Sequence, residues 1–225
     1  MNPALVNLIQ KYPDLEPCKS DLQKSLQFLK ATYQNQGKLL ICGNGGSAAD
    51  CEHIVGELMK GFVSKRPLSG EERASFKKIF PEEGEYLADH LQGALPAISL
   101  VSHSALISAF TNDVSAETVF AQQVYGYGQA SDVLLAISTS GNSINIIRAV
   151  QVARIKGVTT IGLSGKDGGR LKELCDVTIV VPRDNTAAIQ ELHLPIYHAL
   201  CVALENEFFP SSQRTFAKEK ASLAG

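Results

Sequence analysis

The chain has 225 residues, 44% of them hydrophobic and 20% charged, which is enough to bury a full core as a single domain spanning residues 1–225. Its formal net charge of -2 excludes the overall basic field that draws a protein to nucleic acid or to an anionic membrane. The first residues lack the pattern of a secretory signal, and no apolar run approaches the ~20 residues of a membrane span. We therefore expect a cytoplasmic protein without a nucleic-acid or membrane partner.

Short aliphatic runs alternate with helical patterns along the chain, beginning with a helix over residues 20–36 that stops before Gly37. Strands are predicted at residues 38–42, 96–101, 133–137, 159–163 and 177–181. Further helices are predicted at residues 47–59, 105–110, 116–127, 143–156, 169–174 and 186–206. Strands that are separated by helices predict an α/β fold with a parallel sheet covered on both faces.

One charged segment, residues 66–93, interrupts this alternation between the second predicted helix and the second predicted strand. Its composition favours helices on the surface, so a helical hairpin or an oligomer contact is the preferred interpretation. A lid over the site stays open as an alternative, because the segment leaves directly from the helix that carries His53 and Glu57.

The glycine-rich segment 42–50, CGNGGSAAD, lies where the first predicted strand turns into a helix. Glycines let the backbone approach a ligand closely, and the start of a helix offers free N–H donors to an anion or a sugar hydroxyl. The spacing also fits a dinucleotide-binding pattern, but the second predicted strand ends without the acidic residue that holds the ribose. We therefore expect no nucleotide, and a tight structural turn remains the alternative interpretation.

A second loop, STSGNS at residues 138–143, follows the strand VLLAI and opens the next predicted helix. Its hydroxyl side chains and the amides of the helix start can surround the oxygens of a phosphate monoester without a lysine. One hydroxyl would suffice for a helix cap, which is the structural alternative. The loop has four, and phosphate binding is therefore the predicted role of Ser138, Thr139, Ser140 and Ser143.

Two helices carry candidate acid, base and metal-ligating side chains. His53 and Glu57 are four residues apart on one helix, so they share a face and could move a proton together or ligate one metal ion. An isolated pair of this kind is more often a structural hydrogen bond. On the last predicted helix, Gln190 and His198 are about two turns apart and could converge only on something that lies between their directions.

Five motifs occur in order along the chain: CGNGGSAAD, the Asn112–Asp113 pair in AFTNDV, AISTSGNS, LSGKDGG and IQELH followed by His198. With these motifs the chain resembles the sugar isomerase (SIS) domain family, and within it the phosphoheptose isomerases. The resemblance implies a flavodoxin-like three-layer sandwich with a five-stranded parallel sheet, to which this chain adds an N-terminal helix and the helical insertion 66–93. It also implies a homotetramer whose active sites lie between subunits.

The resemblance assigns roles position by position. Glu57 and His198 match the catalytic pair of the family. The substrate-binding positions are implied to be Asn44, Gly45, Gly46, Glu57, Asn112, Asp113 and Gln190, with Ser138, Thr139, Ser140 and Ser143 on the phosphate. The zinc-binding set of some members, one ion per subunit, matches His53, Glu57, Gln190 and His198.

The implied reaction converts sedoheptulose 7-phosphate into D-glycero-D-manno-heptose 7-phosphate through an enediol(ate), at the entry to heptose synthesis for surface glycans such as lipopolysaccharide. Glu57 would be the base and His198 the proton donor. One alternative is an isomerase of another phosphosugar. The other is a non-catalytic phosphosugar-binding adaptor, of the kind that associates with the bacterial replication initiator and has lost the acid and base residues.

Overall fold

Five parallel strands form one sheet in the order β2-β1-β3-β4-β5. The structure is a computed structural model that describes residues 1–210, so the last part of the predicted domain, residues 211–225, lies outside the described residues. The strands are β1 (Leu39–Cys42), β2 (Ala97–Ser99), β3 (Val133–Ile137), β4 (Thr159–Ser164) and β5 (Val177–Val180). This strand order is the flavodoxin-like one and confirms the predicted fold class.

Helices cover both faces of the sheet, as its parallel strands require. They are α1 (Pro3–Lys11), α2 (Lys19–Gln34), α3 (Gly46–Met59), α4 (Gly70–Ile79), α5 (Gly84–His90), α6 (Ser104–Asp113), α7 (Val119–Tyr127), α8 (Ile144–Ile155), α9 (Gly169–Leu174) and α10 (Thr186–Phe208). The first of these, α1, was not predicted as a separate helix. Residues 116–118, predicted as the start of a helix, form a short 3-10 turn before α7.

The alternation of side chains along each strand divides the core between the two faces. In β1, Leu39 and Ile41 join the cluster that packs under α1, α2, α3 and α10, whereas Leu40 and Cys42 join the cluster under α7, α8 and α9. All four residues are buried, which explains why the short run LLIC is apolar at every position. Helices α3 and α10, which carry the candidate acid and base, therefore lie on the same face of the sheet.

The insertion 66–93 forms two helices, α4 and α5, that pack against each other. Ser69 begins α4 with a capping box, in which Glu72 N–H donates to the Ser69 hydroxyl and Ser69 N–H donates to the Glu72 carboxylate. Helix α4 has no buried residue, and the two ends of the insertion meet in an antiparallel bridge between Pro67 and Gln92. The segment is the helical hairpin that its composition favours, and its role as a lid or an oligomer contact stays a prediction.

The last helix, α10, is long and apolar enough to cross a membrane by length and composition. More than half of its most apolar window is buried inside the fold, and Ile189, Ile196 and Leu204 are almost completely enclosed by the core. Core helices pass the same test of length and hydropathy, so packing against the sheet accounts for this composition.

Candidate active site

The glycine-rich loop and the serine-rich loop lie side by side at the carboxyl edge of the sheet, after the neighbouring strands β1 and β3. Asn44 donates through Nδ2 to Asn145 Oδ1 (2.9 Å), and Asn145 donates back to Asn44 Oδ1 (3.0 Å), which ties the glycine loop to α8. Gly45 has a φ of 56°, and a Cβ on Gly46 would lie 2.6 Å from the Gln190 amide nitrogen. The glycines are therefore required by the turn and by the close approach of Gln190.

The serine-rich loop has hydroxyls that the helix does not use. Ser143 is the N-cap residue of α8, yet its side chain makes no capping hydrogen bond and instead accepts from the Ser138 hydroxyl (3.1 Å). The Ser140 hydroxyl accepts from Asn142 N–H (3.2 Å), and Thr139 is partly exposed. A helix cap therefore does not account for the hydroxyl of Ser143, whereas a group of acceptor and donor hydroxyls at the N-terminus of α8 suits an anion.

A third loop, in the motif LSGKDGG, supports the serine-rich loop from behind. Gly165 N–H donates to Thr139 O (3.2 Å), and Arg170 N–H donates to Asn142 Oδ1 (3.1 Å). Gly141 has a φ of 67°, and a Cβ there would lie 1.9 Å from Gly168 O. Gly141 and Asn142 are thus structural requirements of the loop, and the sequence predicts no ligand contact for either, although both lie within the STSGNS motif.

A separate cluster joins the predicted acid and base. The imidazole of His53 hydrogen-bonds through Nε2 to Glu57 Oε1 (3.1 Å), and the rings of His53 and His198 pack edge to face with centroids 5.1 Å apart. Phe62 also packs on His198, with a centroid separation of 5.2 Å. Helices α3 and α10 therefore bring His53, Glu57 and His198 together, as the resemblance implies.

The orientation of His53 is set by two residues that the sequence analysis missed. The Tyr197 hydroxyl donates to Asp50 Oδ1 (3.1 Å) and lies 3.0 Å from His53 Nδ1. Because its hydrogen goes to Asp50, the hydroxyl can accept a hydrogen bond from Nδ1, and this contact fixes the ring with Nε2 beside Glu57 Oε1. Burial raises the pKa of Asp50, against the opposing effect of the Tyr197 hydrogen bond. In the sequence, only the position of Asp50, three residues before His53 on α3, could have indicated this role.

Burial and the neighbouring His53 lower the pKa of His198, and one polar atom each of His198 and Glu57 makes no hydrogen bond within residues 1–210. Burial lowers the pKa of His198, the neighbouring His53 lowers it further, and Glu57 acts in the opposite direction, so the imidazole is neutral near pH 7. Within residues 1–210, His198 Nε2 and Glu57 Oε2 are both buried without a hydrogen-bond partner, and Lys60 Nζ lies 3.7 Å from Glu57 Oε2. Such orphaned buried atoms are expected where a ligand completes the site.

The acid–base cluster and the serine-rich loop lie at opposite edges of the sheet in one chain. Eleven residues separate Gly46 from Glu57, which corresponds to about 16 Å along α3. At the far end of α3, Leu58 O accepts from Leu95 N–H (3.0 Å), just before β2 begins. The structure therefore does not bring the loop 138–143, predicted to bind phosphate, to Glu57 and His198 within one chain.

Gln190 and the Asn112–Asp113 pair are also apart from the acid–base cluster. Gln190 lies against Gly46, and eight residues of α10, about 12 Å of helix axis, separate it from His198. Asn112 and Asp113 end α6 on the surface, where Asn112 Nδ2 donates to Asp113 Oδ1 (2.8 Å). Their hydrogen bond joins the two side chains to each other and to no other predicted site residue in the described part of the chain.

The zinc prediction fits the donor types of this cluster but not a preformed site. Imidazole nitrogens and carboxylates are among the ligands that zinc prefers, and within residues 1–210 His198 Nε2 and Glu57 Oε2 make no hydrogen bond. Residues 1–210 contain no group of three or more His, Cys, Asp or Glu side chains arranged to hold a metal ion. Three of the four predicted ligands are thus neighbours whose side chains would have to turn toward a common point.

Comparison with known proteins agrees with this organisation. Residues 69–165 match the family model described as the SIS domain. The chain is 43% identical over 175 residues to a phosphoheptose isomerase of Nitratiruptor sp., covering 78% of this chain and 80% of that protein. It is 39% identical over 194 residues to a phosphoheptose isomerase of Helicobacter pylori strain P12, covering 86% and 88%.

Solved structures give the same result. A phosphoheptose isomerase from Neisseria gonorrhoeae superposes with a TM-score of 0.70 at 31% identity, covering 89% of this chain and 94% of that one. A phosphoheptose isomerase from Francisella tularensis superposes with a TM-score of 0.71 at 31% identity, covering 89% and 93%. With its flavodoxin-like sheet, its two loops and its paired Glu57 and His198, the chain belongs to the phosphoheptose isomerase family of SIS domain proteins.

Proposed function

We propose that this protein is a ketose–aldose isomerase that converts sedoheptulose 7-phosphate into D-glycero-D-manno-heptose 7-phosphate. Membership of the family supports the substrate class. The observation that carries the proposal is that His53 hydrogen-bonds to Glu57 and packs on His198, while Glu57 Oε2 and His198 Nε2 are buried and make no hydrogen bond within residues 1–210. The product would enter heptose synthesis for surface glycans, in the cytoplasm.

The reaction transfers hydrogens between two adjacent carbons and their oxygens. Glu57 takes the proton from C1 of the ketose while O2 receives a proton from the neutral His198 imidazole, which gives a cis-enediol. Glu57 then returns its proton to C2, and O1 gives its proton back to His198, which leaves the aldose. Because the pKa of His198 is lowered, the imidazole serves as a neutral hydrogen-bond donor to the developing oxyanion near pH 7.

The complete site is proposed to lie between two copies of the chain in a homo-oligomer, for which the family resemblance suggests a tetramer. The separation of about 16 Å along α3 between Gly46 and Glu57 exceeds the length of an extended seven-carbon sugar. One copy would hold the phosphate in the loop 138–143, and another would present Glu57 and His198. This arrangement accounts for a phosphate loop and an acid–base pair that are each well formed but far apart.

Zinc is proposed as a cofactor of the same cluster. His53, Glu57 and His198 would hold the ion, and Gln190, which lies against the glycine loop, would join them from another copy. When bound, zinc supplies a Lewis acid for the substrate oxygen. Tyr197 and Asp50 would fix the ring of His53 for this role, as hydrogen-bonded neighbours commonly do for histidine ligands.

An assay with sedoheptulose 7-phosphate tests the proposal directly. We expect the purified protein to form the aldose phosphate, and Glu57→Gln to remove about 100-fold or more of kcat while the protein stays folded. A panel of other ketose and aldose phosphates, with and without a chelator, fixes the preferred sugar and the need for metal. Turnover of Glu57→Gln at the parent rate, or absence of turnover with every phosphosugar, would exclude the proposed role.

A further inference from the structure

Arg66 and Glu205 form a buried ion pair outside the residues discussed so far. Their side chains are 0% and 2% exposed, and Arg66 Nε donates to Glu205 Oε1 at 2.7 Å. A buried ion pair is seldom more stabilising than apolar side chains of the same volume. The other groups that Arg66 and Glu205 hydrogen-bond therefore indicate the role of this ion pair.

The guanidinium of Arg66 holds the end of the helix that carries the proposed base. Arg66 donates through NH1 to Leu58 O (2.7 Å) and through NH2 to the backbone carbonyl of Glu57 itself (3.0 Å). The last carbonyls of a helix have no intrahelical partner, so a fixed guanidinium there defines where the last turn lies. The position of Glu57 is thus tied directly to Arg66.

The carboxylate of Glu205 holds the loop that packs on the proposed acid. Glu205 lies on α10, about two turns beyond His198, and accepts from the N–H groups of Phe62 (2.8 Å), Val63 (2.9 Å) and Ser64 (3.0 Å). The ring of Phe62 contacts His198. Burial alone would raise the pKa of Glu205, but these hydrogen bonds and Arg66 outweigh it and lower the pKa, so the carboxylate is ionised.

The same pair also anchors the helical hairpin. Arg66 has a φ of 48°, which is unfavourable for a residue other than glycine, and its carbonyl accepts from Gly93 N–H (2.8 Å). Gly61 N–H donates to Gln92 Oε1 (2.7 Å) in the same region. Both ends of the insertion are thus fastened to the residue that holds the end of α3, and the buried hydrogen bonds of Arg66 offset its backbone strain.

We propose that Arg66 and Glu205 are positioning residues that fix the distance between Glu57 on α3 and His198 on α10, and so set the rate of proton transfer. This inference rests on the proposed function of that pair. Neither side chain reaches the substrate, since both are buried behind the cluster. Their loss should therefore lower kcat and leave the phosphate loop, and with it KM, nearly unchanged.

The test compares Glu205→Gln and Arg66→Lys with the parent. Each keeps the approximate size of the side chain but removes the carboxylate charge or the two-pronged guanidinium. We expect kcat to fall by about 100-fold, the effect of a displacement of about 1 Å between reacting groups, with KM nearly unchanged. A parent-like kcat in both folded variants would overturn the proposal.

A matched control is available in the ion pair of Lys38 and Asp132, which directly precede β1 and β3. Asp132 is also buried, and it accepts from Lys38 Nζ (2.6 Å) and from the N–H groups of Lys38 and Gln129 (2.9 Å each). Asp132→Asn should lower the melting temperature but leave kcat close to that of the parent. An equal loss of kcat in Asp132→Asn at equal stability would mean that Glu205 acts only through stability, contrary to the proposal.

A double variant separates positioning from stability even if the single variants do not fold. Arg66→Met combined with Glu205→Leu replaces the ion pair with apolar side chains of similar volume, so it leaves no unpaired buried charge and should be more stable than either side chain replaced alone. The proposal expects kcat to stay low in the folded double variant, because the carbonyl of Glu57 and the N–H groups of residues 62–64 lose their partners. Recovery of both stability and kcat would refute it.

Nuclear magnetic resonance spectra of histidine-labelled protein test the positioning role without an assay of the proposed reaction. The imidazole signals of His198, assigned with His198→Gln, should shift in Glu205→Gln and stay in place in Asp132→Asn. If the parent isomerises no phosphosugar, the proposed function fails, but a shifted His198 signal still supports the positioning role. Unchanged His198 signals in Glu205→Gln would reject that role whatever the activity.

Discussion

Sequence motifs identify some of the predicted site residues of this protein. The residues that orient them are identified only by their contacts in the folded structure. Glu57 and His53 share a helix face by spacing, and both lie in the acid–base cluster. Tyr197 lies beside His198 in the sequence, yet its hydroxyl serves His53 on another helix. The neighbours that orient a reactive ring therefore come from packing, and they are open to direct tests.

Removal of the Tyr197 hydroxyl should weaken the site without unfolding the protein. Tyr197→Phe keeps the buried ring but breaks the connection from Asp50 to His53. We expect a loss of about 10-fold to 100-fold in activity or in zinc affinity, measured by steady-state kinetics and by metal titration. Tyr86→Phe, on the exposed face of α5, is the control and should behave like the parent in both measurements.

The buried His193 should make stability depend on pH. Burial lowers its pKa to about 4, against the opposing hydrogen bond with Ser164 O, whereas an unfolded histidine titrates near 6.5. Between these values the unfolded state binds more protons, so the free energy of unfolding falls as the pH falls from about 6.5 toward 4, by at most about 1.4 kcal/mol per pH unit. Urea unfolding at several pH values should show a smaller slope for His193→Gln, and an equal slope would contradict this assignment.

At the level of elements, the loops after β1, β3 and β4 form one connected unit at the carboxyl edge of the sheet. Glycines occupy the positions where two of these loops touch, as Gly141 does against Gly168 O. The loop after β4 has no predicted ligand of its own and acts through the hydrogen bond from Gly165 to Thr139. The shape of the phosphate loop therefore depends on a neighbouring strand connection.

A side chain at Gly141 should damage this unit. Gly141→Ala places a Cβ against Gly168 O and imposes a positive φ on alanine. The backbone strain alone costs about 1–3 kcal/mol, and displacement of the loop should raise KM for the phosphosugar more than it lowers kcat. Thermal unfolding and steady-state kinetics measure the two effects.

The control for this change is Gly126→Ala in α7. That position has open space around it, and alanine favours a helix, so stability should rise slightly while KM stays unchanged. A KM in Gly141→Ala equal to that of the parent would show that the loop 138–143 does not bind the phosphate.

For the whole molecule, the decisive feature is the distance between the two ends of α3. Each chain has the loop 138–143 at one edge of the sheet and the cluster of His53, Glu57 and His198 near the other. If the site lies between copies, a defect in the loop of one chain and a defect in the acid–base pair of another can leave one intact site.

Hybrid oligomers should therefore regain activity from two inactive variants. Ser140→Asp places a negative charge in the phosphate loop, and Glu57→Gln removes the base. We expect each variant alone to be nearly inactive and the co-expressed pair to recover a measurable part of the parent activity, followed as aldose formation. Each variant co-expressed with itself is the control, and no recovery in verified mixed oligomers would place both halves of the site in one chain.

The sequence by itself determined the order of elements and the parallel sheet, because burial on both faces makes each strand a short apolar run. It also determined the motifs of the predicted ligand loops, because each of these loops follows the end of a strand. Strand bounds agree closely, as at 133–137, whereas α1 was missed. Tertiary structure decided which side chains meet: it joined Asp50 and Tyr197 to His53, and placed Gln190 beside Gly46. Distances of this kind depend on the direction and packing of α3 and α10, which side-chain spacing within each helix does not encode.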